Sequence, residues 1–393
     1  MNNEFFKKHS DKLFFVLALV FLSVALFRLA GSRTGTEKNT PSIIFTQWWE
    51  NDLEKAALSS LIEEFESLHT GIKIILNTRS YEDLRRDLLN PAAVQENGII
   101  PGDIIALDPL WIPDLLKREI IENANASLIS SINLLYYNTD ILRKAGFSRP
   151  PKTRGEFLNY ARTVAKADFA LTGSLSLGLN SSRGIYDDIF PWIWSAGTHL
   201  ITDGKPVVTS KPVIDALSFL GSLNSEALIT QGKMEDFISG KAAFVIAPAR
   251  DIRMVRERLG DEAFGITSIP LPDDYAGKSF FAAAGWTVGV HSASVHKEIA
   301  GLFADFLAEK ASFLSDEILK MPGNRTPPLQ DEFYSKVWDI AIANESAQDF
   351  SGLPWMELEE IFKEELLSMF AGKLSPAETA AAIQNKWEII LGN

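Results

Sequence analysis

Residues 42–110 alternate between short apolar runs and segments with helical spacing. Apolar runs occur at 43–45, 72–76 and 104–107, and each predicts a buried strand. Between the first two runs, a capping box at Asn51 and Glu54 opens a predicted helix. Its apolar residues recur every three or four positions, at Leu53, Ala57, Leu61, Phe65 and Leu68. A β-α-β-α-β order of this kind predicts a parallel sheet covered by helices on both faces.

The ends of these predicted strands carry aromatic and acidic residues. Gln47-Trp48-Trp49-Glu50 follows the first run, and Asp108-Pro109-Leu110-Trp111 follows the third. Because open α/β sheets bind ligands at the carboxyl ends of their strands, both segments are candidates for a ligand site.

The N-terminus has the pattern of an export signal. Lys7, Lys8 and Lys12 precede an apolar run at 13–27, and small residues follow Arg28. The run is shorter than a comfortable membrane span, but Leu29 and Ala30 would extend it, so a cleaved signal and a retained anchor both stay open. Residues 1–32 are therefore predicted to be a signal peptide or signal anchor, and 33–41 a linker. The protein is predicted to be exported to the periplasm or the extracytoplasmic face of the membrane.

The amino-acid composition limits the domain class of the protein and the partners that it can bind. The 393 residues contain 46% apolar residues and no cysteine, which predicts two globular domains without disulfides or a lipid-modified cysteine. Residues 33–393 carry 34 basic and 49 acidic side chains, a net charge of −15. An excess of carboxylates of this size argues against a nucleic-acid partner.

The segment from Ser131 to Phe157 organises the chain. An apolar run at 132–137 ends in Tyr137-Asn138, a short helix stops at Gly146, and a capping box at Thr153 and Glu156 opens another helix after two prolines. At these residues the chain resembles the sugar-binding cluster of the extracellular solute-binding proteins that serve ABC importers, the maltose-binding-protein-like proteins. Two later segments resemble the same family in the same order, at 234–246 and at 264–290.

The resemblance implies a two-lobed α/β clamp of the type II periplasmic-binding-protein class, with parallel-rich sheets covered by helices. The strands at 134–137 and 244–247 would join the lobes. The first lobe would then comprise 42–135 and 248–310, and the second 136–247 and 311–393. Between Trp111 and Leu134 the chain is shorter than its relatives, which implies a more open cleft.

The resemblance also implies a ligand site in this cleft, since sugar rings stack on flat aromatic faces beside a few polar groups. The same residue types would equally suit a core, a helix cap or a turn. The expected ligand-binding residues are Trp48, Trp49, Glu50, Asp108, Trp111, Tyr137, Asn180, Trp194, Arg250, Trp286 and Arg325.

Arg250 stands where relatives commonly carry a tryptophan that stacks on sugar. A guanidinium can hold a carboxylate or phosphate with two hydrogen bonds, so the ligand is expected to be a sugar or an acidic sugar derivative. Arg325 could supply a second cation. The alternative is that Arg250 pairs with Asp251 or faces solvent.

Enzyme motifs do not support a catalytic function. Gly277-Lys278-Ser279 lacks the upstream glycine of a phosphate-binding loop, and no Gly-x-Ser-x-Gly elbow occurs. His291 and His296 are five positions apart, and no other cluster predicts a metal or a cofactor. We therefore expect a monomeric solute-binding protein that delivers its ligand to ABC permease subunits. The alternatives are a membrane-tethered ligand sensor and a glycoside-active enzyme with paired carboxylates.

Overall fold

The first lobe is built on three parallel strands. A computed structural model describes residues 41–49, 53, 55–89, 102–124, 128–167, 171–281, 283–311, 313, 331–347, 350 and 352–392. In it, β1 (Ser42–Gln47) pairs in parallel with both β2 (Lys73–Thr78) and β3 (Ile104–Leu107). All four residues of β3 are buried. The three strands predicted from the apolar runs are confirmed.

Helices cover these strands because their apolar residues lie on one face. The first lobe contains α1 (Lys55–Leu68), α2 (Tyr81–Leu89), a 3₁₀ turn (Pro109–Trp111), α3 (Ile112–Lys117) and β4 (Ile121–Ala124). Phe65 of α1 is fully buried, and Gly71 follows the helix at a φ of 96°. A glycine adopts this left-handed conformation without steric cost, which lets the chain turn into β2. The capping box predicted at Asn51 and Glu54 lies outside the described residues.

From β4 the chain passes through a long crossing strand into the second lobe. In chain order the next elements are β5 (Ile129–Asn138), α4 (Thr139–Lys144), α5 (Arg154–Lys166), β6 (Leu175–Ser176), a π-helical segment (Ile185–Ile189), α6 (Phe190–Trp194), β7 (Ile201–Thr202), β8 (Lys205–Pro206), α7 (Lys211–Ser225) and β9 (Ile229–Thr230). They are followed by α8 (Lys233–Ile238), β10 (Phe244–Pro248), a 3₁₀ turn (Ala249–Asp251), α9 (Ile252–Leu259), β11 (Phe264–Thr267), β12 (Phe280–Phe281), β13 (Ala283–His291), α10 (Lys297–Glu309), α11 (Glu332–Ala343), β14 (Glu345–Ser346), α12 (Trp355–Phe370) and α13 (Pro376–Leu391).

Two long strands cross between the lobes. The main sheet has the order β2-β1-β3-β13-β5-β10-β6-β9, with β4 paired to β13 and β11 paired to β5. Residues 129–132 of β5 pair with β13, and residues 133–138 pair with β10 and β11. Residues 287–290 of β13 continue into the first lobe beside β3. The antiparallel pair β5 and β13 therefore connects the two lobes.

This pairing corrects the expected boundary of the first lobe. Residues 248–310 were expected to belong to it, with the strand at 244–247 as the second crossing. Instead, β10 runs beside the second-lobe half of β5, and Phe264–Thr267 pairs with β5 as well. The chain returns to the first lobe at β13. An apolar run predicts a buried strand, but the choice of sheet depends on pairing between residues far apart in sequence.

The C-terminal helices pack on the second lobe. Helix α13 begins at the capping box predicted at Ser375 and Glu378, which is present. It packs against α7 and α12, and α12 packs against α7 and the π-helical segment. In the described ranges, no helix is long and apolar enough to cross a membrane. The predicted signal or anchor at residues 1–32 lies outside these ranges.

Candidate functional site

The first lobe presents an aromatic group at the carboxyl ends of β1 and β3. Trp48 follows β1, Trp111 ends the 3₁₀ turn after β3, and Tyr81 opens α2. The ring centroids of Trp48 and Tyr81 are 5.2 Å apart, those of Trp48 and Trp111 are 5.6 Å apart, and those of Tyr81 and Trp111 are 4.7 Å apart. The three rings form one continuous surface, as expected where strand ends of an open sheet converge.

Asp108 provides the acidic group beside these rings. Its Oδ1 accepts a hydrogen bond from the Leu110 backbone N–H at 3.0 Å, which caps the 3₁₀ turn. Its Oδ2 accepts from the Tyr81 hydroxyl at 2.8 Å and from Nη1 of Arg183. Burial, together with the negative charge of Asp108, raises the pKa of Tyr81 well above its usual value. The tyrosine is therefore a neutral donor to the carboxylate.

Arg183 reaches Asp108 from the second lobe. Its Nε and Nη2 donate to the two carboxylate oxygens of Asp187, each at 3.1 Å. Burial alone would raise the pKa of Asp187, but the cations Arg183 and Lys233 outweigh it and lower that pKa to about 2. Nδ2 of Asn133, on the crossing strand β5, also donates to Asp187, at 2.9 Å. Arg183 is thus oriented by Asp187 and directed at Asp108.

The π-helical segment places a second carboxylate next to the first. Asp188 is fully buried, and its Oδ2 accepts from the Gly178 backbone N–H at 2.6 Å. Its Oδ1 lies 3.3 Å from Nζ of Lys233. Burial raises the pKa of Asp188 to about 6, although Lys233 opposes that shift. π-helical turns often occur at functional sites because they redirect side chains, and in this segment Asp187 and Asp188 contact different cations.

Aromatic residues also line the second-lobe side. The guanidinium of Arg183 lies 5.0 Å from the centroid of the Tyr186 ring, a cation–π distance. Tyr186 packs edge-on against Trp355 at 5.4 Å and against Trp194 at 5.1 Å. Aromatic rings and charged side chains of the second lobe therefore lie against those of the first lobe around the contact between Asp108 and Arg183.

Three further contacts join the lobes. The Ser182 backbone N–H donates to Glu82 at 3.0 Å, Nη2 of Arg85 donates to Glu359 at 3.3 Å, and the Met356 backbone N–H donates to Asp114 at 3.3 Å. Burial raises the pKa of Glu359 to about 8, although Arg85 opposes that shift. Burial also raises the pKa of Asp114. We call the surface formed by these residues and the adjoining rings the interlobe seam. It comprises Trp48, Tyr81, Glu82, Arg85, Asp108, Trp111 and Asp114 of the first lobe and Ser182, Arg183, Tyr186, Asp187, Met356 and Glu359 of the second.

The structure brings some of the predicted site residues together. Trp48, Trp111 and Asp108 meet at the seam. Asn180 is exposed in the loop that leads to Ser182. Trp49 and Trp286 stack on each other behind Trp48, and both are buried.

Other predicted residues lie apart from this group. Trp194 is buried behind Tyr186 in the second lobe. The ring of Tyr137 lies against Gly265 of β11, where a Cβ atom would come within 2.3 Å of it. Arg250 follows β10, and its Nε lies 3.7 Å from Asp251, which agrees with the alternative that these two residues pair. Glu50 and Arg325 lie outside the described residues.

Sequence reasoning missed the residues that connect the lobes: Tyr81, Glu82, Arg85, Arg183, Asp187 and Glu359. One signal was available, because Arg183 and Asp187 form an i,i+4 charge pair just before a strongly apolar helix. The others look like ordinary charged positions on amphipathic helices. Only the approach of the lobes makes them neighbours.

The described residues contain no group of three or more His, Cys, Asp or Glu side chains that could hold a metal ion. They do contain a cavity of about 460 Å³ at the start of α5. It is lined by residues such as Arg154, Phe219 and Tyr275 and includes none of the seam residues. The seam and this cavity are separate features.

The fold and the seam define a class of protein: two α/β lobes that are joined by crossing strands and meet at an aromatic and charged surface. Residues 50–312 match the sequence profile described as bacterial extracellular solute-binding protein. The chain belongs to this family, which confirms the prediction of a binding protein over the sensor and enzyme alternatives.

Individual relatives agree with the family. A protein of Deinococcus radiodurans whose name describes an ABC transporter-binding protein is 23% identical over 334 residues, 77% of this chain and 72% of that protein. Among solved structures, a solute-binding protein of Thermotoga lettingae, bound to α-D-tagatose, has a TM-score of 0.74 at 17% identity and covers 90% of this chain and 100% of that one. The GacH receptor of Streptomyces glaucescens, which was also solved in complex with acarbose, has a TM-score of 0.73 at 16% identity and covers 90% and 99%. At these identities the structural likeness describes the fold.

Proposed function

We propose that this protein is the extracytoplasmic solute-binding component of an ABC importer and that it captures a carbohydrate between its two lobes. The observation that carries the proposal is the interlobe seam, where aromatic rings and hydrogen-bonding groups from both lobes face each other beside the two strands that connect the lobes. The ABC transporter-binding relative and the carbohydrates bound by two structural neighbours support the same function.

The chemistry of the seam suits a ligand with ring faces and hydroxyl groups. Trp48, Trp111 and Tyr186 offer apolar faces, while Asp108 and Asp187 accept hydrogen bonds and Arg183 donates them. A hydroxyl group can donate to a carboxylate and accept from a guanidinium at the same time. A polyhydroxylated ring therefore matches both kinds of group without carrying a charge of its own.

Capture requires the lobes to separate and close again about β5 and β13. A ligand that contacts both lobes stabilises the closed form by its differential affinity for that form. Closure would then present both lobes together to the permease subunits. We propose that the binding protein acts as a monomer in this cycle.

A thermal-shift screen tests the binding function. Monosaccharides, oligosaccharides, polyols and sugar phosphates are compared, because a ligand at 100 times its Kd adds about 2.7 kcal/mol to the free energy of unfolding. Failure of every carbohydrate to stabilise the protein, or hydrolysis of a glycoside during incubation, would overturn the proposal.

A conservative variant ties binding to the seam. Trp48→Phe keeps an aromatic ring but reduces the apolar face that the seam offers to a ligand ring, so calorimetry should show a loss of affinity of about tenfold or less. Tyr160→Phe is the matched control, because Tyr160 stacks on Phe147 within the second lobe. Equal affinities of the two variants would place the ligand elsewhere.

An acidic ligand is the second ligand class to test, and it depends on Arg250. Asp251 lies beside this guanidinium, and Asp108 and Asp187 add negative charge at the seam. A neutral carbohydrate is therefore the first choice. If Arg250 holds an acidic group, Arg250→Ala should weaken a uronate about tenfold or more and leave the neutral sugar nearly unchanged. Equal binding of a sugar and its uronate by the unmutated protein would remove this role.

We also propose that residues 1–32 direct export and either are cleaved or anchor the protein through residues 13–30. The apolar run and the basic residues before it support this proposal. Mass spectrometry of exported protein should find Met1 in the membrane fraction or a start near Arg33 in the soluble fraction. A lipid-modified species would contradict it.

A further inference from the structure

The central contact of the seam is an ion pair that links the lobes directly. Asp108 belongs to the first lobe, at the end of β3, and Arg183 belongs to the second, just before the π-helical segment. The Asp108 side chain is 2% exposed and the Arg183 side chain 12% exposed. An ion pair that is this well buried and hydrogen-bonded is screened little by solvent.

Protein groups alone satisfy both members of the pair. Asp108 accepts from Leu110, Tyr81 and Arg183, and Arg183 uses three nitrogens to reach two carboxylates. Neither residue needs a further partner to remain buried. When the lobes are in contact, hydrogen bonds from protein groups therefore satisfy both Asp108 and Arg183.

The pair is also built to separate. Arg183 keeps both hydrogen bonds to Asp187 when the lobes part, because Arg183 and Asp187 are in the same lobe. Asp108 likewise keeps Tyr81 and the Leu110 N–H within the first lobe. Separating Asp108 from Arg183 breaks one charge-assisted hydrogen bond and leaves neither of these two charges without a partner. A buried ion pair whose members depended only on each other would be much harder to separate, because each charge would be left buried without a partner.

Helix α2 supplies further first-lobe contacts from one short segment. Tyr81 orients Asp108, Glu82 accepts from the Ser182 backbone, and Arg85 donates to Glu359. Ser182 is the neighbour of Arg183, so two consecutive second-lobe residues meet the first lobe. These contacts lie around the Asp108–Arg183 pair and close at the same time.

The closed seam covers the aromatic surface that a ring-shaped ligand would use. Trp111 is 1% exposed and Trp48 5% exposed. A solute reaches these rings only after the lobes have moved apart. The contacts that close the lobes therefore compete with the ligand.

We infer that Asp108 and Arg183, held by Tyr81 and Asp187, form a latch that closes the lobes by protein contacts alone, so that a ligand binds only after the latch has opened. We call these four residues the Arg183 latch. The inference rests on the proposed function for the identity of the competing solute, but the closure itself can be measured on the protein with no added carbohydrate.

The test uses the absence of cysteine from the chain. Glu63→Cys in the first lobe and Lys166→Cys in the second introduce two exposed labelling sites for spin labels. Pulsed electron resonance then gives the distance between the lobes in the full chain. The Arg183 latch predicts a dominant short distance for the labelled protein and a shift to longer distances in Asp108→Asn and Arg183→Gln.

Because substitution of the buried Asp108 or Arg183 could unfold the protein, a variant at an exposed position tests the same contact surface. Glu82→Ala removes the contact to Ser182 without leaving a buried charge, and it should shift part of the population to the longer distance. Asp83→Ala is the matched control, because Asp83 contacts Ser80 and Arg86 within the first lobe. Circular dichroism checks that each variant is folded.

The same distance distribution in folded Asp108→Asn, Glu82→Ala and Asp83→Ala would overturn the latch. A long distance in the unmutated protein would overturn it as well. Neither result depends on finding a ligand, so the latch can fail while carbohydrate binding stands, and the converse is also true. A latch that keeps about 90% of the protein closed would weaken apparent ligand affinity about tenfold relative to the open form.

Discussion

The indole rings of Trp49 and Trp286 stack with 4.8 Å between their centroids and 7° between their planes. Trp49 follows β1, and Trp286 lies on β13 where this strand changes its partner from β5 to β3. The stack therefore fastens the crossing strand to the first lobe. Both rings are buried, with Trp49 at 0% and Trp286 at 1% exposure.

We expect Trp49→Ala and Trp286→Ala each to lower the free energy of unfolding by about 3 to 5 kcal/mol, because truncation of a buried tryptophan leaves a cavity. Urea denaturation followed by circular dichroism measures the loss. Trp338→Ala is the control, since Trp338 on α11 is only partly buried and should lose less. Equal losses at the three positions would contradict the assignment of the stack to the core.

The low pKa of Asp187 predicts acid sensitivity. Its folded value of about 2 lies below the ordinary value of 3.8, so its contribution to stability is present above about pH 4 and is lost as the pH falls toward 2. The free energy of unfolding of the unmutated protein should therefore fall more steeply over this range than that of Asp187→Asn. Parallel pH profiles would show that Arg183 does not stabilise the ionised form of Asp187.

The raised pKa of Glu359 predicts the opposite dependence. Its folded value of about 8 lies above the ordinary value of 4.5, so its contribution is fully present below about pH 4.5 and is lost as the pH rises through 8. Each pH unit in this window changes the free energy of unfolding by at most about 1.4 kcal/mol. Glu359→Gln should flatten the decline between pH 5 and 9, as measured by denaturant unfolding.

Glu360→Gln is the control for Glu359, because Glu360 is the exposed neighbour on the same helix. Its profile should follow that of the unmutated protein. If both variants flattened the decline equally, burial of Glu359 at the seam would not be its cause.

Asp273 caps a helix that is distant in sequence. Its Oδ1 accepts from the Thr153 hydroxyl at 2.6 Å and from the Gly155 N–H at 3.1 Å, at the start of α5. Loss of a capping side chain costs about 1 kcal/mol, so Asp273→Ala should lower the melting temperature by a few degrees. Asp274→Ala changes the adjacent residue and should have a smaller effect. Equal shifts in a thermal melt would remove the capping role.

Local patterns determined the elements of this protein. The apolar runs at 43–45, 72–76 and 104–107 became strands, and the capping residues Thr153 and Ser375 open their helices. Such features depend on neighbours within a few residues, so the sequence contains the information they need. The aromatic and acidic residues at strand ends, Trp48, Asp108 and Trp111, were also found in this way.

Tertiary structure alone decided which strand crosses back and which charges meet. The apolar run of β10 would fit either lobe, and only its pairing with β5 assigns it to the second. Asp108 and Arg183 are 75 positions apart, and Arg85 and Glu359 are 274 apart. Their contacts exist because the two lobes approach each other in the folded chain, and no periodicity along the sequence records that approach.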